Sequence, residues 1–338
     1  MGTEALLSVE QLTVTVPHPF EPGERRTVVD RVDLQVRTGE ALGLVGESGS
    51  GKSMTARSVM RLLAPGVRAE GCVMLGGRNI LEMDAETLRR TRAERMAMIY
   101  QDPRAHINPV RTVGDFLTEG MRVTGVSRSE ATARAVKLLD DVQVSDAQGR
   151  MNQYPHELSG GLLQRVVIAA ALSQDPELIL ADEPTTALDV TTQAEVMAIL
   201  DDLRRERGLS LLFITHDLEL AAATCDRTGV MYAGRIVEIQ ESAALQQSPT
   251  HPYTSGLMMA RPDIEIIQPE LTVIPGTSVS AYEAMEGCAF ASRCAFASDI
   301  CLSRRPEMAR VGNAEVACHH ARELLGTLPN KIEEIPHA

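Results

Sequence analysis

An α/β fold interrupted by a wholly helical insert is what the sequence predicts, on three observations. The apolar run Ala41-Leu42-Gly43-Leu44-Val45 enters the glycine-rich stretch Gly46-Glu47-Ser48-Gly49-Ser50-Gly51-Lys52-Ser53, and Met54, Val59, Met60, Leu62 and Leu63 then recur at helical spacing. Further short apolar runs, at residues 96–100, 178–181 and 211–214, read as buried strands that end in polar residues. Between about Thr112 and Gln174 the pattern becomes helical, with candidate helices at 113–123, 130–142 and 160–172, which predicts a subdomain between strand-rich flanks.

Composition bounds the function. A chain of 338 residues holds one large domain or two ordinary ones, and 44% hydrophobic with 23% charged residues is ordinary for a globular protein. No run approaches the roughly 18 apolar residues that span a bilayer, and the N-terminus lacks a basic-then-apolar leader. The expectation is a cytosolic chain that can dock on a membrane protein. A net charge of −13 argues against a nucleic-acid surface, which needs a basic stripe.

In chain order, residues 6–16 and 28–37 alternate like strands, with Pro17, Pro19, Pro22 and Gly23 marking the loop between them. Together they predict an antiparallel flap ahead of the glycine-rich stretch. In that stretch, strand, loop and helix follow one another as in a phosphate cradle. Gly46, Ser48, Gly49, Ser50 and Gly51 turn backbone N–H groups inward, and the helix N-terminus adds its positive dipole end. Lys52 is suited to the β- and γ-phosphates of a nucleotide, and the Ser53 hydroxyl to Mg²⁺.

Residues 72–75 before Gly76-Gly77 suggest a short hairpin in which Cys72 is a small core residue, and a charged helix runs from about Asp84 to Arg95. The strand at 96–100 ends in Gln101, either a solvated loop residue or a group that touches Mg²⁺ or the attacking water. Within the insert, Leu158-Ser159-Gly160-Gly161 opens an apolar helix, read either as a plain N-cap at Ser159 or as a second anion site. The strand from Leu178 ends in Asp182-Glu183. Here Asp182 can hold Mg²⁺ through water and Glu183 can deprotonate the attacking water, unless the pair merely caps a helix. A helix then runs to about Arg207, and the strand at 211–214 ends in Thr215-His216, where His216 is either structural or a donor to the γ-phosphate.

Four of the six cysteines, Cys288, Cys294, Cys301 and Cys318, crowd into the C-terminal part, a clustering that favours metal over disulfide. Their gaps of five, six and sixteen residues are wider than those of zinc knuckles and suit a larger core better than one ion, although His319 and His320 adjoin the last of them; four unconnected thiols are the bland alternative.

Gly-rich loop, Gln101, Leu-Ser-Gly-Gly, Asp182-Glu183 and His216, in that order, resemble the ATPase subunits of ABC transporters over about residues 6–250. The position of Ser159, 23 residues before Asp182, carries the specificity of the match. The resemblance implies an ABC-type phosphate-loop NTPase of α/β fold with an antiparallel β flap, a helical subdomain at about 102–177 and a head-to-tail dimer around two ATPs. Lys52, Ser53, Gln101, Asp182, Glu183 and His216 of one subunit would face Ser159, Gly160 and Gly161 of the other. Where the family has an adenine-stacking aromatic this chain has Val16; either Phe20 in the next loop substitutes or the stack is absent.

Beyond residue 250, His251-Pro252-Tyr253-Thr254, Ala260-Arg261-Pro262 and Ile274-Pro275-Gly276 look like the tail of oligopeptide/dipeptide importer ATPases, as do Glu47 and Asn108-Pro109. The family's extra prolines before the first clustered cysteine are absent from residues 278–286. This likeness implies a small Cys-rich domain at 251–338, with Cys288, Cys294, Cys301 and Cys318 holding a [4Fe–4S] cluster or, alternatively, Zn²⁺. It also implies a non-identical partner ATPase, two transmembrane permease subunits, a separate substrate-binding protein, and a peripheral place on the cytoplasmic membrane face. Peptides, nickel chelates and oligosaccharides stay open as cargo; a non-transport ABC ATPase or a small-molecule kinase are the other readings. Residues from about Glu323 to Ala338 are expected to be a loosely held tail.

Overall fold

The computed structural model describes residues 4–186, 188–260, 273–284 and 286–330. Strands β1 (Ala5–Pro17), β2 (Arg25–Arg37) and β3 (Ala41–Val45) lead to α1 (Lys52–Val59). Then come β4 (Arg68–Leu75), β5 (Arg78–Asn79), α2 (Ala85–Arg95) and β6 (Met96–Ile99). The insert holds α3 (Pro103–His106), α4 (Val113–Val123), α5 (Arg128–Asp141), α6 (Ala147–Arg150) and α7 (Gly160–Leu172). After it run β7 (Leu178–Asp182), α8 (Val190–Arg207), β8 (Ser210–Thr215), α9 (Leu218–Thr224), β9 (Arg227–Tyr232) and β10 (Arg235–Glu241). The C-terminal part adds α10 (Ser242–Gln247), α11 (Pro252–Met259), α12 (Asp299–Ser303), β11 (Ala309–Val311), β12 (Ala314–Val316) and α13 (Ala321–Leu324).

Two compact units form, neither continuous in sequence. One comprises the described residues of 1–7, 36–41 and 75–213, the other those of 8–35, 42–74 and 214–338. In the first, the strand order is β8-β7-β6, and β6 runs parallel to β7 with Met96 opposite Leu178 and Ile99 opposite Ala181. Every residue of β7 is buried, as expected of a strand covered on both faces. The helical insert lies wholly in this unit. Side chains cap its longer helices: Thr112 Oγ1 accepts from Asp115 N–H, and Ser127 Oγ accepts from Glu130 N–H. Leu117, Met121, Ala135, Leu139, Leu163 and Val166 fill the space between α4, α5 and α7 and are all essentially inaccessible.

In the second unit, β9 lies between β3 and β10, parallel to the former and antiparallel to the latter. The C-terminal part joins this sheet, because β12 pairs antiparallel with β10, Glu238 opposite Val316, and β11 completes the edge. Its core gathers Val45, Val230, Tyr232, Leu245, Tyr253 and Phe290. Residue bounds expected from periodicity match α4 and α7, while β9 to β12 carry no expectation. Cys72 lies half-buried on β4 rather than in the core. Half of the expected loose tail, residues 331–338, and Arg261-Pro262 lie outside the described residues, whereas residues 323–330 are held: Leu324 and Leu328 are buried, and Asn330 Nδ2 donates to Gln246 O at 3.0 Å and Gln247 O at 2.8 Å.

Candidate functional site

The glycine-rich loop begins where β3, buried at all five positions, emerges from the sheet. A Cβ on Gly46 would come within 2.1 Å of the Met231 carbonyl oxygen, so no side chain fits there. Gly51 has φ +104 and forms the left-handed N-cap of α1. The Lys52 side chain folds back over the loop: its Nζ donates to Gly46 O at 2.7 Å and to Glu47 O at 3.0 Å, and the residue is only 5% exposed. An ammonium in such a place requires acceptors, and an anionic phosphate is a stronger acceptor than the loop's own carbonyls. Ser50 is buried and Ser53 half-buried, whereas Ser48 and Gly49 are exposed at the loop's crest.

Glu47 is the loop residue with the most elaborate surroundings. Its backbone N–H donates to Tyr253 Oη at 2.9 Å. Its carboxylate takes a two-pronged ion pair from Arg293, at 2.7 Å (Nη1 to Oε2) and 3.1 Å (Nη2 to Oε1). Tyr253 is wholly buried; desolvation raises its pKa well above the ordinary phenol value, so the hydroxyl stays neutral. It sits on α11, whose start is fixed by Glu238: the buried carboxylate accepts from Thr250 N–H at 2.7 Å and His251 N–H at 3.0 Å. His251 caps the same helix through Nδ1, which accepts from Tyr253 N–H, and full burial lowers its pKa to about 3, keeping the ring neutral.

His216 follows β8 in this same unit and is exposed. The next residue, Asp217, caps α9 by accepting from Glu219 N–H and Leu220 N–H, so the turn that presents His216 is held by the backbone beyond it.

In the other unit, the register of β6 on β7 carries Gln101 to Glu183. Gln101 Nε2 donates to Glu183 Oε2 at 3.0 Å, and Thr186 Oγ1 donates to the same oxygen at 2.9 Å. Glu183 adopts φ +47, a left-handed conformation that costs a non-glycine residue of order 1 kcal/mol. That strain points to a constrained side chain at the strand's end. Its neighbour Asp182 is 3% exposed. Ser159 caps α7, with Oγ accepting from Leu162 N–H at 3.4 Å, and is itself exposed, while Gly160 and Gly161 are half-buried. A Cβ on Gly161 would lie 2.4 Å from Thr192 Cγ2, so a larger residue there would have to displace that methyl group.

Val16 is half-buried near the end of β1, and Phe20 is 84% exposed, its ring edge-on to His18 at 6.4 Å. The bare ring is available for stacking.

The cysteine expectation is corrected. Cys288, Cys294, Cys301 and Cys318 border one very small cavity with His251 and His320. Yet among the described residues no group of three or more His, Cys, Asp or Glu side chains is placed to hold a metal ion. Neither the iron–sulfur cluster nor the zinc alternative is supported. Sequence spacing brought the thiols near one another and overstated what they hold.

Two side chains that contact the glycine-rich loop carried no usable sequence signal of that contact. Tyr253 stands in a segment noted only for its likeness to other tails, and Arg293 is one arginine among the cysteines. Thr186, the second donor to Glu183, was likewise not foreseen.

Comparisons with known proteins agree with this geometry. Residues 29–186 match the family model of ABC transporters, and residues 237–301 match that of the oligopeptide/dipeptide transporter C-terminal region. A probable peptide ABC transporter ATP-binding protein of Sinorhizobium fredii is 46% identical over 301 residues, covering 87% of this chain and 89% of the relative. The oligopeptide transport ATP-binding protein OppD of Escherichia coli is 43% identical over 304 residues, covering 90% and 89%. Among solved structures, a dimeric bacterial ABC transporter cassette superposes with a TM-score of 0.62 at 27% identity, covering 70% of this chain and 98% of that one. The same cassette in a post-hydrolysis state bound to ADP and Pi matches equally well. With two family models matched in order and relatives of this identity aligned over most of its length, the chain belongs to the ATP-binding, ATP-hydrolysing subunits of ABC transporters, in their oligopeptide/dipeptide branch.

Proposed function

We propose that this chain powers peptide uptake by binding and hydrolysing ATP on the cytoplasmic face of a membrane, where it docks on two permease subunits. The observation that carries the reading is the pair of prepared ends: a loop whose buried lysine is held over a turn of glycines, and a strand end where Gln101 and Thr186 orient a strained Glu183. Among the described residues no helix is long and apolar enough to cross a membrane.

In this reading Gly46, Ser48, Gly49, Ser50, Gly51 and Lys52 bind the phosphates. Ser53, Gln101 and Asp182 are assigned to Mg²⁺, and the donor set fits: a hydroxyl, an amide oxygen and a carboxylate are the oxygen ligands a hard cation takes. When bound, that ion offsets charge on the β- and γ-phosphates. Glu183 removes a proton from the attacking water, and Gln101 and Thr186 hold its carboxylate in line. His216 donates to the γ-phosphate. Ser159, Gly160 and Gly161 serve the ATP of a second, non-identical ATPase in a head-to-tail dimer, and an external binding protein delivers the peptide. The nucleotide-binding domain spans residues 1–250, with its helical subdomain at about 102–177, and residues 251–338 form the C-terminal domain.

The test is reconstitution: the chain is purified with its co-expressed permease and partner ATPase, placed in vesicles, and assayed for ATP-dependent movement of a labelled peptide. Peptide accumulation coupled to phosphate release supports the reading. Coupled accumulation of a nickel chelate or an oligosaccharide, with none of peptide, would reassign the cargo. Copurification with ribosomes or DNA in place of membrane subunits would overturn it.

A further inference from the structure

Arg293 lies 246 residues from the loop it touches, and it is firmly seated. Its side chain is 4% exposed, Nε donates to Pro275 O at 2.8 Å, and Nη1 reaches Tyr232 Oη at 3.4 Å. The guanidinium carbon sits 5.8 Å from the Tyr232 ring centre and 5.9 Å from that of Phe290. Gly276 lets the stem pass, since a Cβ there would be 3.3 Å from Arg293 Cγ. Tyr232, Tyr253 and Phe290 pack mutually, with ring centres 4.6 to 5.3 Å apart. An arginine so held cannot follow a mobile carboxylate; the carboxylate must come to it.

The partner is an awkward one. Glu47 is the second residue of a loop that is to hold a polyanion, so its negative charge stands close to the anion it would repel. Glu47 remains 27% exposed, and Lys52 Nζ is already engaged with the Glu47 carbonyl rather than its carboxylate.

We propose that Arg293 is a positioning residue for nucleotide binding: the C-terminal segment clamps Glu47 through Arg293 and Tyr253, drawing its carboxylate away from the phosphates and fixing the loop's entry. The clamp makes the segment characteristic of the oligopeptide/dipeptide branch a working part of the nucleotide site. The proposal rests on the phosphate loop being that site, as read above. It names a residue outside every nucleotide motif.

The experiment measures equilibrium binding of the non-hydrolysable analogue AMP-PNP to the full chain, with thermal melting as the check on folding. R293M should weaken binding about tenfold at about 0.02 M ionic strength, because a charge is left unpaired beside the ligand. The deficit should shrink below about threefold at about 0.5 M, where the Debye length is only a few ångströms. In an E47Q background the same R293M change should cost less than about threefold, since the repelling carboxylate is gone. R293K keeps the positive charge and should bind within about threefold of the parent. R293Q replaces R293M in all arms should the latter not fold. A deficit that is unchanged by salt, or equal with Glu47 and with Gln at that position, would show that Arg293 merely packs and would overturn the proposal. K52A separates the two readings. Undiminished binding in K52A removes the phosphate loop as the site, whereas loss in K52A beside indifference in R293M removes only the clamp.

Discussion

Gln101 stands opposite Glu183 across two parallel strands, its amide Nε2 donating to the carboxylate Oε2 at 3.0 Å. The pairing follows from register: Ile99 faces Ala181, and continuing both chains two residues beyond the ladder brings the amide to the carboxylate. A parallel sheet puts the ends of neighbouring strands side by side, which is why function gathers there.

If Glu183 is the base, Glu183→Gln should leave ATP affinity within about threefold and lower kcat by roughly a hundredfold or more. Single-turnover phosphate release measures it. Hydrolysis at the parent rate would remove Glu183 from the mechanism, and Gln101 and Thr186 would then be holding it for structure alone.

Should each nucleotide be shared between two subunits, Ser159 acts on the ATP bound by the partner's phosphate loop. Its exposed place at the start of α7 is consistent with a surface role. With Lys52→Ala on this chain and the matching signature-serine change to Arg on the non-identical partner ATPase, the dimer should lose one site. Placing both changes on one chain beside an unmodified partner should lose both sites. The reverse pattern, read by nucleotide stoichiometry, would mean that each subunit works alone.

With Val16 in place of an aromatic residue, discrimination of ATP from GTP should be weak. Val16→Tyr should sharpen it by about 1 kcal/mol, the worth of one stacking contact. Competition binding of the two nucleotides decides the matter. A strong ATP preference in the parent that vanishes in Phe20→Ala would show instead that the exposed Phe20 ring performs the stacking.

Acid sensitivity should trace to His251. Its native pKa of about 3 lies below the unfolded value near 6.5, so between those limits the unfolded chain binds the extra proton. Its contribution to stability is therefore complete above about pH 6.5 and declines as the pH falls, by up to about 1.4 kcal/mol per pH unit. Glu238, raised by desolvation, has the opposite sign: it contributes at low pH and its contribution falls as pH rises through its native value. Subtraction isolates the histidine. Asn is a good helix cap, so His251→Asn should keep the α11 cap and flatten the slope of urea midpoints between pH 6.5 and 5. An unchanged slope would show that His251 is not the acid-sensitive group.

Much of the candidate nucleotide site was legible because its signals are local. A glycine-rich turn between a buried strand and a helix, or two carboxylates ending an apolar run, is specified by adjacent residues whose roles depend on backbone geometry. The helices of the insert were equally plain from their apolar periods and the Ser159 cap; the Thr112 and Ser127 caps emerged only in the structure, which starts α5 two residues before the expected Glu130. Strands β11 and β12 are three residues each, too short to show a period, and β12 pairs with β10 some eighty positions earlier in the chain. The cysteine spacing misled for the complementary reason: closeness in sequence says nothing of the ångström-scale geometry that a metal requires.

By itself, then, the sequence determined the phosphate loop, the insert, the acidic strand end and the transporter branch, all encoded within runs of a few tens of residues. Only the tertiary structure decided that Glu183 is held by Gln101 and Thr186, that β12 extends the sheet, and that Glu47 is clamped by Arg293 and Tyr253. Those contacts join residues 3 to 246 positions apart. The longer ones arise from burial of shared apolar surface, which draws segments together without regard to their order in the chain and so leaves no local mark.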